Sequence, residues 1–203
     1  YQVELPLIGD FQATNALVAA ALAIGTGAAP AKVFEALGRL VGPRGRMELV
    51  ARHPKGAPIF VDYAHTPDAL RNVLTALRPY TDNRLSVVFG CGGDRDPGKR
   101  VQMGRIVSEL ADATVITDDN PRNEDPESIR ANIIDAVPQA RNIGDRAEAI
   151  RFAISELHGG DVLVIAGKGH ESGQIAGGVL TPFDDAEEVR KAVADLQKDR
   201  NNG

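Results

Sequence analysis

The 203 residues contain a single cysteine, Cys91, so no internal disulfide can form, which fits a reducing compartment. No apolar run approaches the roughly 20 residues that span a bilayer, which excludes a membrane-inserted helix. An excess of basic residues is missing as well. The formal net charge is -5, and binding along a phosphate backbone needs a basic face, so small molecules rather than nucleic acid are the expected ligands. No Cys/His cluster has zinc spacing, and no repeat or low-complexity segment occurs. A signal-peptide pattern is absent at Tyr1, and the cytoplasm is the expected compartment. The chain opens mid-pattern on Tyr1 rather than on methionine, and the expectation is a piece of a longer protein.

What is present is the composition of a globular protein, 43% hydrophobic and 25% charged. The length accommodates one ordinary domain of about 100 to 150 residues and an appended segment. Residues 11 to 24, FQATNALVAAALAI, have helical spacing of apolar positions and are followed by Gly25 and Gly27, so a buried helix is expected there. A second helix is expected from Ala31 to Leu40 after Pro30, then a linker, Val41-Gly42-Pro43-Arg44-Gly45, that places a domain boundary at residue 43.

Beyond it, short β-branched runs alternate with helical stretches: MELVA, PIFVDYA, RLSVVFG, ATVIT and DVLVIAG. This pattern predicts an α/β fold, Rossmann-like, with a mostly parallel sheet covered by helices on both faces. Thr66-Pro67, Pro97 and Asp125-Pro126-Glu127-Ser128 are helix starts. The polar stretch from Gln197 to Gly203 is expected to fray.

In such a sheet, ligands bind beyond the carboxyl ends of the strands, so the residues after each apolar run are the candidates. After PIFVD, Asp62, Tyr63 and His65 lead into a helix that Thr66 or Asp68 could simply cap. A half-buried Asp62 needs donors, which a ribose could supply. After LSVVFG, the glycine turn Cys91 to Arg100 feeds a helix N-terminus that favours an anion. Gly93 to Lys99 has the spacing of a phosphate-binding loop, but Arg100 stands where Ser or Thr should hold magnesium, and Asp94 and Asp96 would repel a triphosphate. An anion held by Arg95 or Lys99 is the better reading of that turn.

After ATVIT, the Asp118 to Glu124 segment is either a solvated loop or a site. Arg122 offers a planar fork for a carboxylate, and Asp119 and Asn120 can meet an amine, which together suit a zwitterionic amino acid. After DVLVIAG, Gly167-Lys168-Gly169-His170-Glu171 combines glycines that admit a ligand with Glu171 as an ammonium partner. His53 and His158 are expected at the surface, and Cys91 is expected to be a small buried thiol.

Taken together, FQATNALVAAALA, GPRGRME, VDYAHTPDAL, GCGGDRDPGKR, DDNPRNEDP and AGKGHE occur in the order seen in the Mur ligase family, and DNPR resembles its diaminopimelate-adding members rather than its lysine-adding ones. The resemblance covers nearly the whole chain. It implies a reaction of peptidoglycan synthesis: ATP phosphorylates the free carboxylate of UDP-N-acetylmuramoyl-L-alanyl-D-glutamate, and the amine of meso-diaminopimelate attacks the acyl phosphate. By matching motif, Arg95, Asp119, Asn120, Pro121, Arg122, Gly167 and Glu171 are implied in amino-acid binding. Asn15, Arg46, Asp62, Tyr63 and His65 are likewise implied on the adenine and ribose side of ATP.

Residues 1 to 43 are implied to be the tail of the central ATP-binding domain, and 44 to 203 the C-terminal domain. The phosphate loop, Mg2+ ligands, carbamylated lysine and uridine-nucleotide domain are implied to precede Tyr1. The segment alone is therefore expected to be inactive, and the whole enzyme a cytoplasmic monomer. Two alternatives stand beside this: a regulatory nucleotide-binding module with a degenerate phosphate loop, and a folyl or cyanophycin-type ligase.

Overall fold

The computed structural model describes residues 1–202. The chain falls into two compact units, Tyr1–Pro43 and Arg44–Gly203.

The first unit holds α1 (Asp10–Gly25) and α2 (Pro30–Leu37). The turn after α1 is closed by Gly27, whose φ of 102° suits a residue without Cβ and whose N–H bonds Ile24 O. The expected burial of the whole first helix does not hold. Only Gln12, Ala16 and Ala20, one stripe at i, i+4 and i+8, are buried, and Ala16 and Ala20 pack with Leu37 of α2, while Leu17, Val18 and Leu22 stay exposed. The second helix stops at Leu37 rather than Leu40 because Gly38 follows it, and Arg39 and Leu40 form a looser turn.

The second unit is built on a sheet of order β1-β2-β6-β3-β4-β5. Its strands are β1 (Glu48–Arg52), β2 (Pro58–Asp62), β3 (Leu85–Phe89), β4 (Ala113–Ile116), β5 (Arg141–Asn142) and β6 (Val162–Ala166). β1 is antiparallel to β2 and every other pairing is parallel. Between the strands run α3 (Pro67–Leu77), α4 (Gly98–Leu110), α5 (Pro126–Ile134) and α6 (Arg146–Ser155). From β3 the chain steps outward to β4 and β5, then reverses through α6 to insert β6 between β2 and β3. Right-handed crossovers on a reversed path place α6 on the face opposite α4 and α5.

Ile59, Val61, Val88, Leu163 and Ile165 form one core with α6 and with α7 (Asp185–Asn202). Strand alternation turns the equally buried Phe60, Val87, Phe89, Val162 and Val164 to the other face. Each such side chain contributes about 1.5–3 kcal/mol when fully buried, which is why β2, β3 and β6 read as unbroken apolar runs.

A hairpin absent from the sequence reading, β7 (Gly173–Ala176) with β8 (Val179–Pro182), turns on Gly177 and Gly178, both at positive φ. Far from fraying, residues 197 to 202 continue α7, and Gly203 lies outside the described residues. His53 is buried at 6% exposure instead of lying at the surface, because it closes the β1–β2 turn: its N–H bonds Ala57 O and its Nδ1 accepts from Lys55 N. His158 is exposed, as expected.

Candidate functional site

The loops after β2, β3, β4 and β6 meet in one cleft at the carboxyl edge of the sheet. Its lining includes Tyr63, His65, Arg95, Lys99, Asp119, Asn120, Arg122, Gly167 and Glu171. The cavity encloses about 130 Å³, an order of magnitude more than the ~10–15 Å³ a single water needs, so a small organic molecule fits.

The loop after β2 is fixed by Asp62. Two of the donors that a buried Asp62 needs come from the chain itself: its Oδ2 accepts from Met47 N–H and its Oδ1 from Ala64 N–H, each at 2.7 Å. Burial still pushes its pKa up, against the lowering effect of those two amides and of Arg46. The same carboxylate anchors Met47, a non-glycine residue at φ 49°. Beyond Asp62, the Tyr63 ring stands edge-on to His65 at 4.5 Å, 5.2 Å from His170, and 5.4 Å beneath the Arg46 guanidinium. Such a cluster of aromatic faces and a cation is suited to a flat conjugated ligand. Thr66 caps α3 through its Oγ1, which accepts from Ala69 N–H, so capping and cleft formation are divided between neighbours.

Three amides of the loop after β3 are engaged within the chain, Gly93 N–H by Asn120 O, Asp94 N–H by the Glu124 carboxylate, and Gly98 N–H, at the head of α4, by Asp96 Oδ1, which leaves fewer N–H groups to face an anion. Arg100, in the place of a magnesium-binding hydroxyl, turns inward at 3% exposure and pairs through Nη2 with both Glu124 oxygens at 2.8 Å. That guanidinium holds the Glu124 carboxyl below the usual range. Gly93 lets the loop after β4 come close, since a Cβ there would lie 1.9 Å from Pro121 O. Arg95 is exposed and Lys99 half-buried at the cleft rim. Cys91 is buried and bonds Met103 Sδ at 3.7 Å, and burial pushes its thiol up to about 12, so it is an inert packing residue.

In the loop after β4, Asp119 is 8% exposed, lines the cleft, and accepts no hydrogen bond among the described residues. Its neighbour behaves otherwise. Asn120 was a candidate for meeting an amine, yet its Oδ1 accepts from Lys168 Nζ and Ile175 N–H and its Nδ2 donates to Glu171 Oε2, all at 2.9 Å. It braces Glu171, and its Oδ1, with both lone pairs engaged, is closed to an amine.

Arg122 sits at φ 55° and is held there by β7: its N–H bonds Ile175 O, and Gly177 N–H bonds Arg122 O. Its Nη1 donates to Gly93 O at 2.8 Å, which aims the rest of the guanidinium along the cleft. Pro121 is buried behind it.

The loop after β6 contributes Gly167, at φ 117°, where a Cβ would lie 2.8 Å from Asp119 Oδ2, and the half-buried Glu171. Lys168 and Arg146 lie beneath, both essentially unexposed. Arg146 spans Asp185, Ala166 O and Asp118 O. In the sequence, a lysine between glycines and an arginine in a helix carry no mark that distinguishes them from solvated ones. Asn15 belongs to the first unit, exposed on α1, where it donates to Gln12 Oε1 at 3.3 Å.

Residues 45–169 match the model of the Mur ligase, glutamate ligase domain. The chain belongs to the Mur ligase family. Among curated relatives of this Mur ligase chain, the UDP-N-acetylmuramoyl-L-alanyl-D-glutamate--2,6-diaminopimelate ligase of Bradyrhizobium diazoefficiens is 61% identical over 194 residues, covering 96% of the chain and 40% of that protein. A solved structure of a ligase with the same description has a TM-score of 0.75 at 41% identity, over 97% of this chain and 41% of its own. Folylpolyglutamate synthase of Mycobacterium tuberculosis, complexed with ADP, is more distant: TM-score 0.65, 25% identity, 80% of this chain and 38% of its own. The Mur ligase chain thus spans about 40% of the length of the curated relative it matches.

Proposed function

We propose that this chain carries the amino-acid-binding part of an ATP-dependent ligase that joins meso-diaminopimelate to UDP-N-acetylmuramoyl-L-alanyl-D-glutamate in peptidoglycan precursor synthesis. The observation that carries the reading is the charge pattern of the cleft, where two carboxylates, Asp119 and Glu171, share one cavity with the guanidinium groups of Arg95 and Arg122. A diamino dicarboxylic acid presents the complementary two cations and two anions. In this reading Arg122 and Arg95 receive the carboxylates, Glu171 and Asp119 receive ammonium groups, and Gly167 leaves the space beside Asp119 open. Asn120 and Pro121 act as supports rather than contacts.

ATP supplies the phosphoryl group that turns the dipeptide's carboxylate into an acyl phosphate, the electrophile for the incoming amine. The adenine and ribose side of the second unit is assigned to Arg46, Asp62, Tyr63 and His65, with Asp62 also holding the Met47 and Ala64 amides. Asn15, on α1 of the first unit, is assigned to ATP by its motif. The chain spans about 40% of the curated relative's length, and magnesium and the triphosphate are assigned mostly to the rest of the protein. Residues 1 to 43 are assigned to the tail of the ATP-binding domain. The reaction is assigned to the cytoplasm.

Calorimetric titration of the full-length enzyme, preloaded with a non-hydrolysable ATP analogue and the UDP-dipeptide, tests the substrate. Saturable binding of meso-diaminopimelate and not of lysine is expected; preference for lysine, or binding of neither, sinks the assignment.

A further inference from the structure

Three segments of the cleft converge on one buried ammonium group. Lys168 follows β6, its side chain is 0% exposed, and its Nζ donates to Asn120 Oδ1 at 2.9 Å and to Gly173 O of β7 at 2.8 Å. Glu171 Oε2 lies 3.5 Å from the same nitrogen. An ammonium has three protons and no lone pair, so these three acceptors match its full donor set.

The consequence passes through Asn120. Because Asn120 Oδ1 accepts from both Lys168 Nζ and Ile175 N–H, the orientation of the amide is forced, and its NH2 must face Glu171. Glu171 Oε2 is thereby held by Nδ2 at 2.9 Å. The other carboxylate oxygen is left for the cleft. The bond to Gly173 O clamps the start of β7, the strand whose Ile175 O fixes the backbone of Arg122. One charge thus orients an ammonium acceptor and steadies the strand beneath a carboxylate donor. Burial pushes the Lys168 pKa down and Arg146 adds to this, against Asp119, Glu171 and Asp185, so the net direction is downward. The three acceptors around Nζ are the partners that the ammonium form can fill with its three protons.

We propose that Lys168 is a positioning residue for amino-acid recognition, acting through Asn120 on Glu171 and through β7 on Arg122 without touching the amino acid itself. This rests on the reading of the cleft as the diaminopimelate site.

The test is steady-state kinetics of the full-length ligase carrying Lys168→Met, a substitution of similar length without donors, alone and combined with Glu171→Gln. The expected result is a KM for diaminopimelate raised about tenfold or more, the loss of one hydrogen bond to a charged group, with KM for ATP and for the UDP-dipeptide within about twofold. In the Glu171→Gln background the further rise should be smaller, because the part transmitted through Asn120 is already lost and only the part through β7 and Arg122 remains. An unchanged KM, an equal rise for all three substrates, a fall in kcat alone, or an undiminished effect in the Glu171→Gln background each overturns the proposal. Should Lys168→Met not fold, Lys168→Gln is read by the same criteria. If the wild-type enzyme takes lysine in place of diaminopimelate, the substrate reading fails by itself, and the Lys168 test is read with lysine.

Discussion

Arg146 and Asp185 form a bidentate pair, Nε to Oδ1 at 2.7 Å and Nη2 to Oδ2 at 2.8 Å, with neither side chain exposed. Burial alone would lower the arginine's pKa, but the adjacent Asp185 charge and its hydrogen bonds reverse that, and the net direction is upward. The pair joins the first turns of α6 and α7 directly under the loops after β4 and β6. Removing one partner leaves a desolvated charge. Asp185→Ala should therefore destabilise the second unit by about 3–5 kcal/mol, seen as a lower urea midpoint in the full-length protein. Replacing both, Arg146→Met with Asp185→Leu, should cost less than Asp185→Ala alone. A double variant weaker than the single would show that the pair contributes attraction well beyond its desolvation cost.

Arg122→Ala bears on selectivity. A fully buried arginine stripped of its partner would cost about 3–5 kcal/mol, two to three and a half decades of discrimination. Arg122 is only half-buried, so the discrimination it provides is closer to about 1.5–3 kcal/mol, one to two decades. The ratio of kcat/KM for diaminopimelate over lysine should fall by that factor in the variant. Equal loss for both amino acids would remove Arg122 from the selectivity role.

Asp161 governs part of the acid limit. Burial pushes its carboxyl up, but the Arg84 side chain and the backbone amides of His158 and Arg84 outweigh this, and it stays below the usual range. A carboxyl depressed in the folded state adds stability above its unfolded value of about 3.9, and that stability is lost as pH falls toward the folded value. Asp161→Asn should be less stable than wild type at neutral pH, with the difference shrinking below about pH 4 in acid-unfolding curves. A gap that stays constant down to acid pH would assign the effect to packing instead of charge.

β1 to β4 and β6 were all legible in the sequence, β1 and β4 as short runs at half-buried positions and the other three most plainly, because they are buried on both faces. PIFVD, LSVVF and VLVIA have no solvent side, so they are written as plain apolar runs. β5 is two exposed residues, Arg141 and Asn142, too short for any periodicity. The β7–β8 hairpin has no buried residue along its strands, and only the Gly177-Gly178 pair between short β-branched stretches could have marked it.

At the site, strand-end position brought Asp119, Arg122, Gly167 and Glu171 to one cleft without any knowledge of contacts. What position could not tell was which polar atoms are already engaged. Asp62 is satisfied by Met47, fifteen positions earlier, and Asn120 by Lys168 and Ile175, about fifty positions later. Those pairings exist only once the sheet has formed.

That order of assembly has a cost during synthesis. β6, the strand seated between β2 and β3, is the last of the six to be translated. Until residues 162–166 have left the ribosome, the β1–β2 pair and the β3–β4–β5 group have no strand to join them, and each presents an open parallel edge to other chains. Premature termination just before Val162 would thus release two sticky half-sheets, and the four loops of the cleft would first come together only when β6, with Lys168 two residues beyond its end, slots home.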